Sequence, residues 1–347
     1  MFVENLSFVA RRYFEFPNLL KLRYALMADN QISTRHPNKT DLAKMANLFT
    51  KIFTFDGLVL VQSHEELEEE FSGPYCHLEN DAIVVEQNSE IIGIGYTYFL
   101  PSETREERCY IFGGVDPDFR RQGIGTSIMN WAMQHGKSQL QSTGRKIPKY
   151  LRTDVIKSNE SAKQLFTKFE MRPVRWNDDL IIDLNDAPTE IDNPNCSIVS
   201  WDSARDEEAR IVKNLAFADH WGSTPTTKEG WEQMVHGSTA RLDHSFFALD
   251  SEHKIIGLLL SHRYESDDLA LEKRIGWIDK LATLSEHRRK SVAKSLIIHA
   301  LNAFRDDGLS HGALDVDTEN PTGAYGLYKS IGFSQFRGKV TYELQVF

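Results

Sequence analysis

Arg120-Arg121-Gln122-Gly123-Ile124-Gly125 is the stretch on which the reading of this chain turns. Upstream stands Tyr110-Ile111-Phe112-Gly113-Gly114-Val115, an apolar run that reads as a strand. Downstream, Thr126-Ser127-Ile128-Met129-Asn130-Trp131-Ala132-Met133 reads as the start of a helix. Two glycines at a helix N-terminus leave several backbone N–H groups bare and let an anion come close. The arginines add positive charge where a diphosphate would lie. A second version occurs as Arg288-Arg289-Lys290-Ser291-Val292-Ala293. Two such loops predict a duplicated domain that holds a phosphorylated cofactor.

Other segments repeat at the same offset. Ser89–Gly93 matches His253–Gly257 at the entry to an apolar strand, Arg120 matches Arg288, and Asn159 matches Asn320. The shift stays near roughly 160–170 residues, too long for a solenoid repeat and right for a duplicated domain. The polar, proline-containing stretch 185–196 reads as the linker. It separates a first domain, 31–184, from a second, 197–347. Strands and helices alternate in each, with a hairpin near the start, which predicts an α/β fold with a twisted mixed sheet flanked by helices. Apolar segments place the closing strands at Leu180–Leu184 and Val340–Val346. Residues 1–30 have no counterpart in the second half. They read either as an extension packed on the first domain or as a partner contact.

Composition narrows the class. Hydrophobic content of 41% and charged content of 26% fit a soluble globular protein. A formal net charge of −10 disfavours nucleic-acid binding, so an anionic ligand has to be attracted locally. Cys76, Cys109 and Cys196 are too few and scattered for a disulfide framework or zinc site, which suggests a reducing cytoplasm. The twelve histidines lack metal-ligand spacing, so no metal is expected. The N-terminal residues lack the features of a secretion signal, and no apolar run approaches ~20 residues, so no membrane span is expected.

The first loop, with Asn159, Ala162 and Phe166 downstream, resembles the cofactor motif of the GNAT superfamily of acyltransferases. Phe166 stands where that superfamily usually has tyrosine. In the second half Asn320, Ala324, Tyr328, Gly332 and Phe333 resemble the same helix and its exit, with the asparagine-to-tyrosine spacing one residue longer. The tandem layout also resembles mycothiol synthase and related double-domain acetyltransferases.

The resemblance implies acetyl-coenzyme A as cofactor, its diphosphate on the N–H groups of Gln122–Gly125, with Ile124 and Thr126 in the first helical turn. It also implies that strand 108–115 splays from strand 150–155. The open backbone near Gly114 and Val115 would then pair with the pantetheine arm or stabilise an oxyanion. Thr283, Arg288–Ala293 and Asn320 would form a second, weaker cofactor site, because Ser291 replaces the first glycine. Direct acetyl transfer to a primary amine of a small molecule needs a proton acceptor and a proton donor. Asp279 and Tyr328 are the candidates; their first-half counterparts, Ile111 and Phe166, cannot exchange protons. The expectation is therefore cofactor binding in the first half and chemistry in the second. His220 and Trp221 are candidates for the acceptor pocket.

Plainer roles stand beside these. Asp279 suits a salt bridge with Lys280 or Arg274, and Tyr328 suits a helix core. The acidic run Glu65–Glu70 suits a solvated helix face or the recruitment of a cationic amine. A non-catalytic acyl-CoA-binding or regulatory protein is the alternative function. The chain is expected to be a monomer or homodimer.

Overall fold

The computed structural model describes residues 32–190, 193, 195–320 and 323–346. The stretch 1–30 lies outside these. The first half runs β1 (Ser33–Arg35), α1 (Leu42–Phe55), α2 (His64–Ser72), β2 (Ala82–Gln87), β3 (Glu90–Leu100) and β4 (Glu107–Val115). It continues with α3 (Ile124–Ser142), β5 (Lys149–Ile156), α4 (Glu160–Lys168) and β6 (Arg172–Asp183). The second half repeats the plan. It runs β7 (Ser197–Ser200), α5 (Asp206–Ala216), α6 (Lys228–His236), β8 (Phe246–Leu249), β9 (Ile255–Arg263) and β10 (Ile275–Thr283). Then follow α7 (Val292–Asp306), β11 (His311–Asp317), α8 (Ala324–Ile331) and β12 (Ser334–Gln345). No helix among the described residues is long and apolar enough to cross a membrane.

Local chemistry explains these elements. In α1, Leu42, Met45, Phe49 and Ile52 recur on one face and are buried. A capping box between Ser63 and Glu66 starts α2, which buries Leu67 and Phe71. The matched glycines, Gly93 and Gly257, lie under the first turns of α3 and α7. A Cβ on Gly93 would stand 3.1 Å from Ile124, and one on Gly257 3.0 Å from Val292. Both helices can therefore bring their N-terminal turns down onto the sheet.

The mixed α/β architecture is as expected, but the half-sheets are not separate. All twelve strands form one sheet in the order β1-β2-β3-β4-β5-β12-β6-β11-β10-β9-β8-β7. The closing strands are exchanged: β12 pairs antiparallel with β5, and β6 with β11. They pair with each other at the centre. Each core accordingly contains the other half's strand. Leu180 and Ile182 of β6 pack with α7, and Val340 and Tyr342 of β12 pack with Leu151 and Phe166. Burial of such a side chain contributes about 1.5–3 kcal/mol.

Both exchanged strands are longer than their apolar ends suggest. Their polar leading portions are held by ion pairs across the sheet, Arg175–Asp317 at 2.7 Å and Lys339–Asp315 at 2.7 Å among them.

Candidate active site

The two loops share a backbone. Each begins with a 3₁₀ turn, Pro117–Phe119 or Ser285–His287. Arg121 and Arg289 then have φ of 65° and 60°, and Gly123 and Ser291 have φ of 87° and 61°. Gly123 is needed for that left-handed conformation rather than for space, since a Cβ there would meet nothing within 4 Å. Ser291 adopts the same conformation at a steric cost of roughly 1–2 kcal/mol. The first N–H groups of α3 and α7 have no intrahelical acceptor.

What fastens each loop differs. Arg120 donates to Val115 O (3.1 Å) and makes a two-pronged ion pair with Asp56 (2.6 and 3.0 Å). Asn159 Nδ2 donates to the same carboxylate (3.0 Å), while its Oδ1 accepts from Ala162 N and caps α4. Arg120 is thus a clamp joining loop, α1 and α4, and its charge is already matched. Arg121 is exposed and has no ion-pair partner among the described residues. Arg288 instead donates to two backbone carbonyls, Thr283 O (3.3 Å) and Ala216 O (2.8 Å). Asn193, in the linker, donates to Lys290 O and Ser295 Oγ beside the second loop.

The splay expected between strands 108–115 and 150–155 is present, and the second half repeats it. β4 pairs parallel with β5 only from Glu107 to Tyr110, and β10 with β11 only from Ile275 to Ile278. In the first half the gap opens into a cavity of about 660 Å³, walled by Ile111, Val115, Met129 and Phe166 and closed at one end by Gly123–Thr126. Of the expected cofactor residues, Gly114, Val115, Arg120, Arg121, Gly123, Gly125, Thr126, Asn159, Ala162 and Phe166 line it. Gln122 and Ile124 do not, and Ile124 packs into the core beneath α3.

A second cavity, of about 570 Å³, adjoins the first and lies between the halves. The two share Phe53, Leu60, Gln62, Phe112, Arg337 and Lys339. Their charges are opposite. Five cations face two carboxylates in the first, and six carboxylates face two cations in the second. At the junction Tyr96, which lines the first cavity, donates its hydroxyl to Glu70 of the second (3.1 Å). Burial pushes the Glu70 carboxyl up to about 7, against the hydrogen bond from Tyr96. Asp154 on β5 is also raised by burial and accepts from Thr341 Oγ1 (2.6 Å). Arg337, Lys339 and Thr341 all arrive on the exchanged strand β12.

The second-half candidates line neither cavity. Asp279 sits at a β-bulge and pairs with Lys280 at 2.8 Å. Burial raises its carboxyl, but Lys280 and His262 outweigh that and hold it below the usual range. Tyr328 packs against Phe333 in the core, and burial, with Asp315 nearby, pushes its hydroxyl up to about 12. Trp221 stacks on Arg152 (4.3 Å) and Arg175 (5.3 Å) of the first-half strands. His220 contacts Trp221 O and Asn320. Lys213 donates to Thr226 Oγ1 (2.5 Å) beneath this region, and burial pushes its ammonium down to about 8. The hydroxyl of Thr283 is buried without a hydrogen bond. The pairing of Asp279 with Lys280 and the core position of Tyr328 therefore correspond to their plainer roles. Glu70 carried a visible signal, the acidic run on α2. Lys339 and Asp267 carried none, because the strand exchange and the contact between halves bring them in.

Comparison with known proteins gives a consistent result. The sequence profile of the Acetyltransferase (GNAT) family matches residues 42–171 and again 210–333. Human N-acetyltransferase 8 is 34% identical over 90 residues, a match that covers 26% of this chain and 38% of that protein. A GCN5-related N-acetyltransferase from Sphaerobacter thermophilus superposes with a TM-score of 0.70 at 22% identity, over 90% of this chain and 95% of its own. A tandem GNAT protein from the clavulanic acid biosynthesis pathway gives 0.69 at 11% identity, over 91% and 98%. At these identities the two structures establish shared fold alone.

Proposed function

The chain belongs to the acetyltransferase (GNAT) family, and from that premise we propose an acetyl-coenzyme A-dependent N-acetyltransferase whose working centre lies in the first half. The single observation that carries this reading is the meeting of two oppositely charged cavities at Phe112, one ending on the phosphate-type loop and the other ringed by carboxylates.

The residues fit the cofactor. Open N–H groups at the start of α3, the left-handed Gly123 and the unpaired Arg121 suit a diphosphate. Charge-assisted hydrogen bonds there would contribute roughly 1.5–3 kcal/mol each. The unpaired edge of β4 past Tyr110 suits the amides of the pantetheine arm. When bound, acetyl-coenzyme A supplies an activated thioester.

Two tasks remain, to make the acceptor amine neutral and to protonate the departing thiolate. We assign Glu70 to the first; Phe166 has no proton to give, so the thiolate would take its proton from solvent. A carboxyl near 7 is ionised in an appreciable fraction at neutral pH and is basic enough to take a proton from an ammonium group. Tyr96 orients it. Asp154 is the less suitable group, because it faces the cofactor cavity and is held by Thr341. This assignment moves the chemistry from Asp279 and Tyr328 to the first half.

Calorimetry with coenzyme A and thiol release over a panel of amines test the reading. One site per chain, weakened on altering Gly123 and kept on altering Ser291, is expected together with release. Phe166, in place of the usual tyrosine, favours a second reading as a non-catalytic acyl-CoA-binding protein; binding without release would support that one. A mycothiol synthase-like specificity is the narrower alternative, and it requires a pseudodisaccharide acceptor. The carboxylate-rich wall favours a smaller cation.

A further inference from the structure

The cavity between the halves carries more negative charge than the side chains around it neutralise. Its two cations are committed, Arg337 to Asp179 and Lys339 to Asp315 and Asp179. The other four carboxylates accept hydrogen bonds from neutral donors only. Ser63 N and Gln62 Nε2 donate to Glu66, Ser238 N to Glu69, Tyr96 to Glu70, and Val61 N to Asp267 (2.7 Å). Among the described residues none of the four has a cation within ion-pair distance. Asp179, only 1% exposed, adds an Oδ1 that lacks a hydrogen bond, Lys339 Nζ being 3.3 Å away outside hydrogen-bond geometry.

The charge is divided between two walls. Glu66, Glu69 and Glu70 come from α2 of the first half. Asp267 comes from the turn after β9 of the second half, close to Tyr264; the neighbouring Trp277, edge-on to Tyr264 at 6.5 Å, already carries Arg337 over its ring at 5.5 Å. Aromatic faces next to a carboxylate attract an ammonium group by both charge and quadrupole. Burial raises the Asp267 carboxyl to about 6, against the Val61 N–H and the more distant charge of Arg337, as it raises Glu70.

We infer that the acceptor is a dicationic amine of the polyamine class, with one ammonium at Glu70 and a second at Asp267 beside Tyr264. This rests on the reading that the cavity receives the acceptor. The second half is then the specificity wall of the first half's site.

The test is calorimetric titration of the full chain with 1,4-diaminobutane, spermidine, butylamine and 4-amino-1-butanol, followed by thiol release with acetyl-coenzyme A. The diamine and triamine are expected to bind about tenfold or more tighter than the singly charged amines, and kcat/KM is expected to follow the same order. Asp267→Asn keeps an oxygen for Val61 N and removes the charge, so the diamine-to-monoamine ratio should fall towards one. Glu66→Gln, which removes the neighbouring negative charge that acts on Asp267 and so weakens the hold on the second ammonium, gives a second reading should Asp267→Asn fail to fold. Equal binding of all the amines, no amine binding, or an unchanged ratio in the folded variants overturns the inference while coenzyme A binding still stands. Absence of heat with acetyl-coenzyme A defeats the underlying reading instead.

Discussion

The loop before α3 and the loop before α7 have nearly the same backbone and different surroundings. Arg120 is locked to Asp56 and leaves Arg121 and the helix N-terminus facing a cavity. Arg288 is spent on backbone carbonyls, and Asn193 approaches its loop from the linker. Around the second splay lie Lys213, the Asp279–Lys280 pair and a loop whose Trp221 is stacked on arginines. Conservation of a backbone shape after duplication is therefore weaker support for ligand binding than the side chains that leave the shape open. It follows that cofactor binding and chemistry can reside in one half while the other supplies walls.

The severest way to break this comparison is to separate the halves. Residues 31–184 expressed alone leave β5 without β12, with part of the core of Leu151 and Phe166 uncovered. No cooperative thermal transition is expected from circular dichroism, and co-expression with 185–347 should restore one. A first half that melts cooperatively alone would show that the exchange is dispensable.

Next in size is Glu70→Gln, which should lower kcat by about 10²–10⁴-fold while Asp279→Asn leaves it nearly unchanged. In the native enzyme kcat should rise with pH up to about 7 and then level off, as Glu70 loses its proton. The variant should lack that limb. The sign for stability is opposite. A carboxyl raised in the folded state lends stability that is full below its unfolded value and lost as pH rises through about 7. Glu70→Gln should therefore melt higher than the native chain above pH 7, with the difference vanishing below the ordinary carboxylate range.

A smaller effect separates the loops directly. Gly123→Val should weaken coenzyme A binding by about ten- to a hundredfold in calorimetry, the equivalent of one or two lost backbone contacts. Ser291→Val should leave the affinity unchanged. Smallest is Ser291→Gly, which relieves a left-handed serine and should stabilise the chain by at most about 1 kcal/mol in denaturant melts.

Much of this arrangement was legible in the residues. The loop glycine, the matched Gly93 and Gly257 and the two hairpins follow from local chemistry and appear where expected, and the first-half splay appears where the family resemblance implied it. The strand exchange was not legible. Arg172–Asp179 and Ser334–Lys339 are too polar to read as strands, because their charges are matched only by residues far away in sequence. Arg120 looked like a ligand for phosphate; it lines the first cavity and is also tied to Asp56, a partner 64 positions upstream that the sequence did not reveal. Glu70 stood in an acidic run of which Glu66 and Glu69 line the same cavity, and only the hydrogen bond from Tyr96 distinguishes it.

Thr341 and Asp154, hydrogen-bonded neighbours on β12 and β5, lie 187 positions apart. At about 5–20 residues per second a ribosome takes about 10–40 s to make that interval. Throughout it the nascent first half has an unsatisfied sheet edge beside its cavity. On the proposed reading, activity waits for translation through β12, and that edge is the place where a chaperone would be most needed.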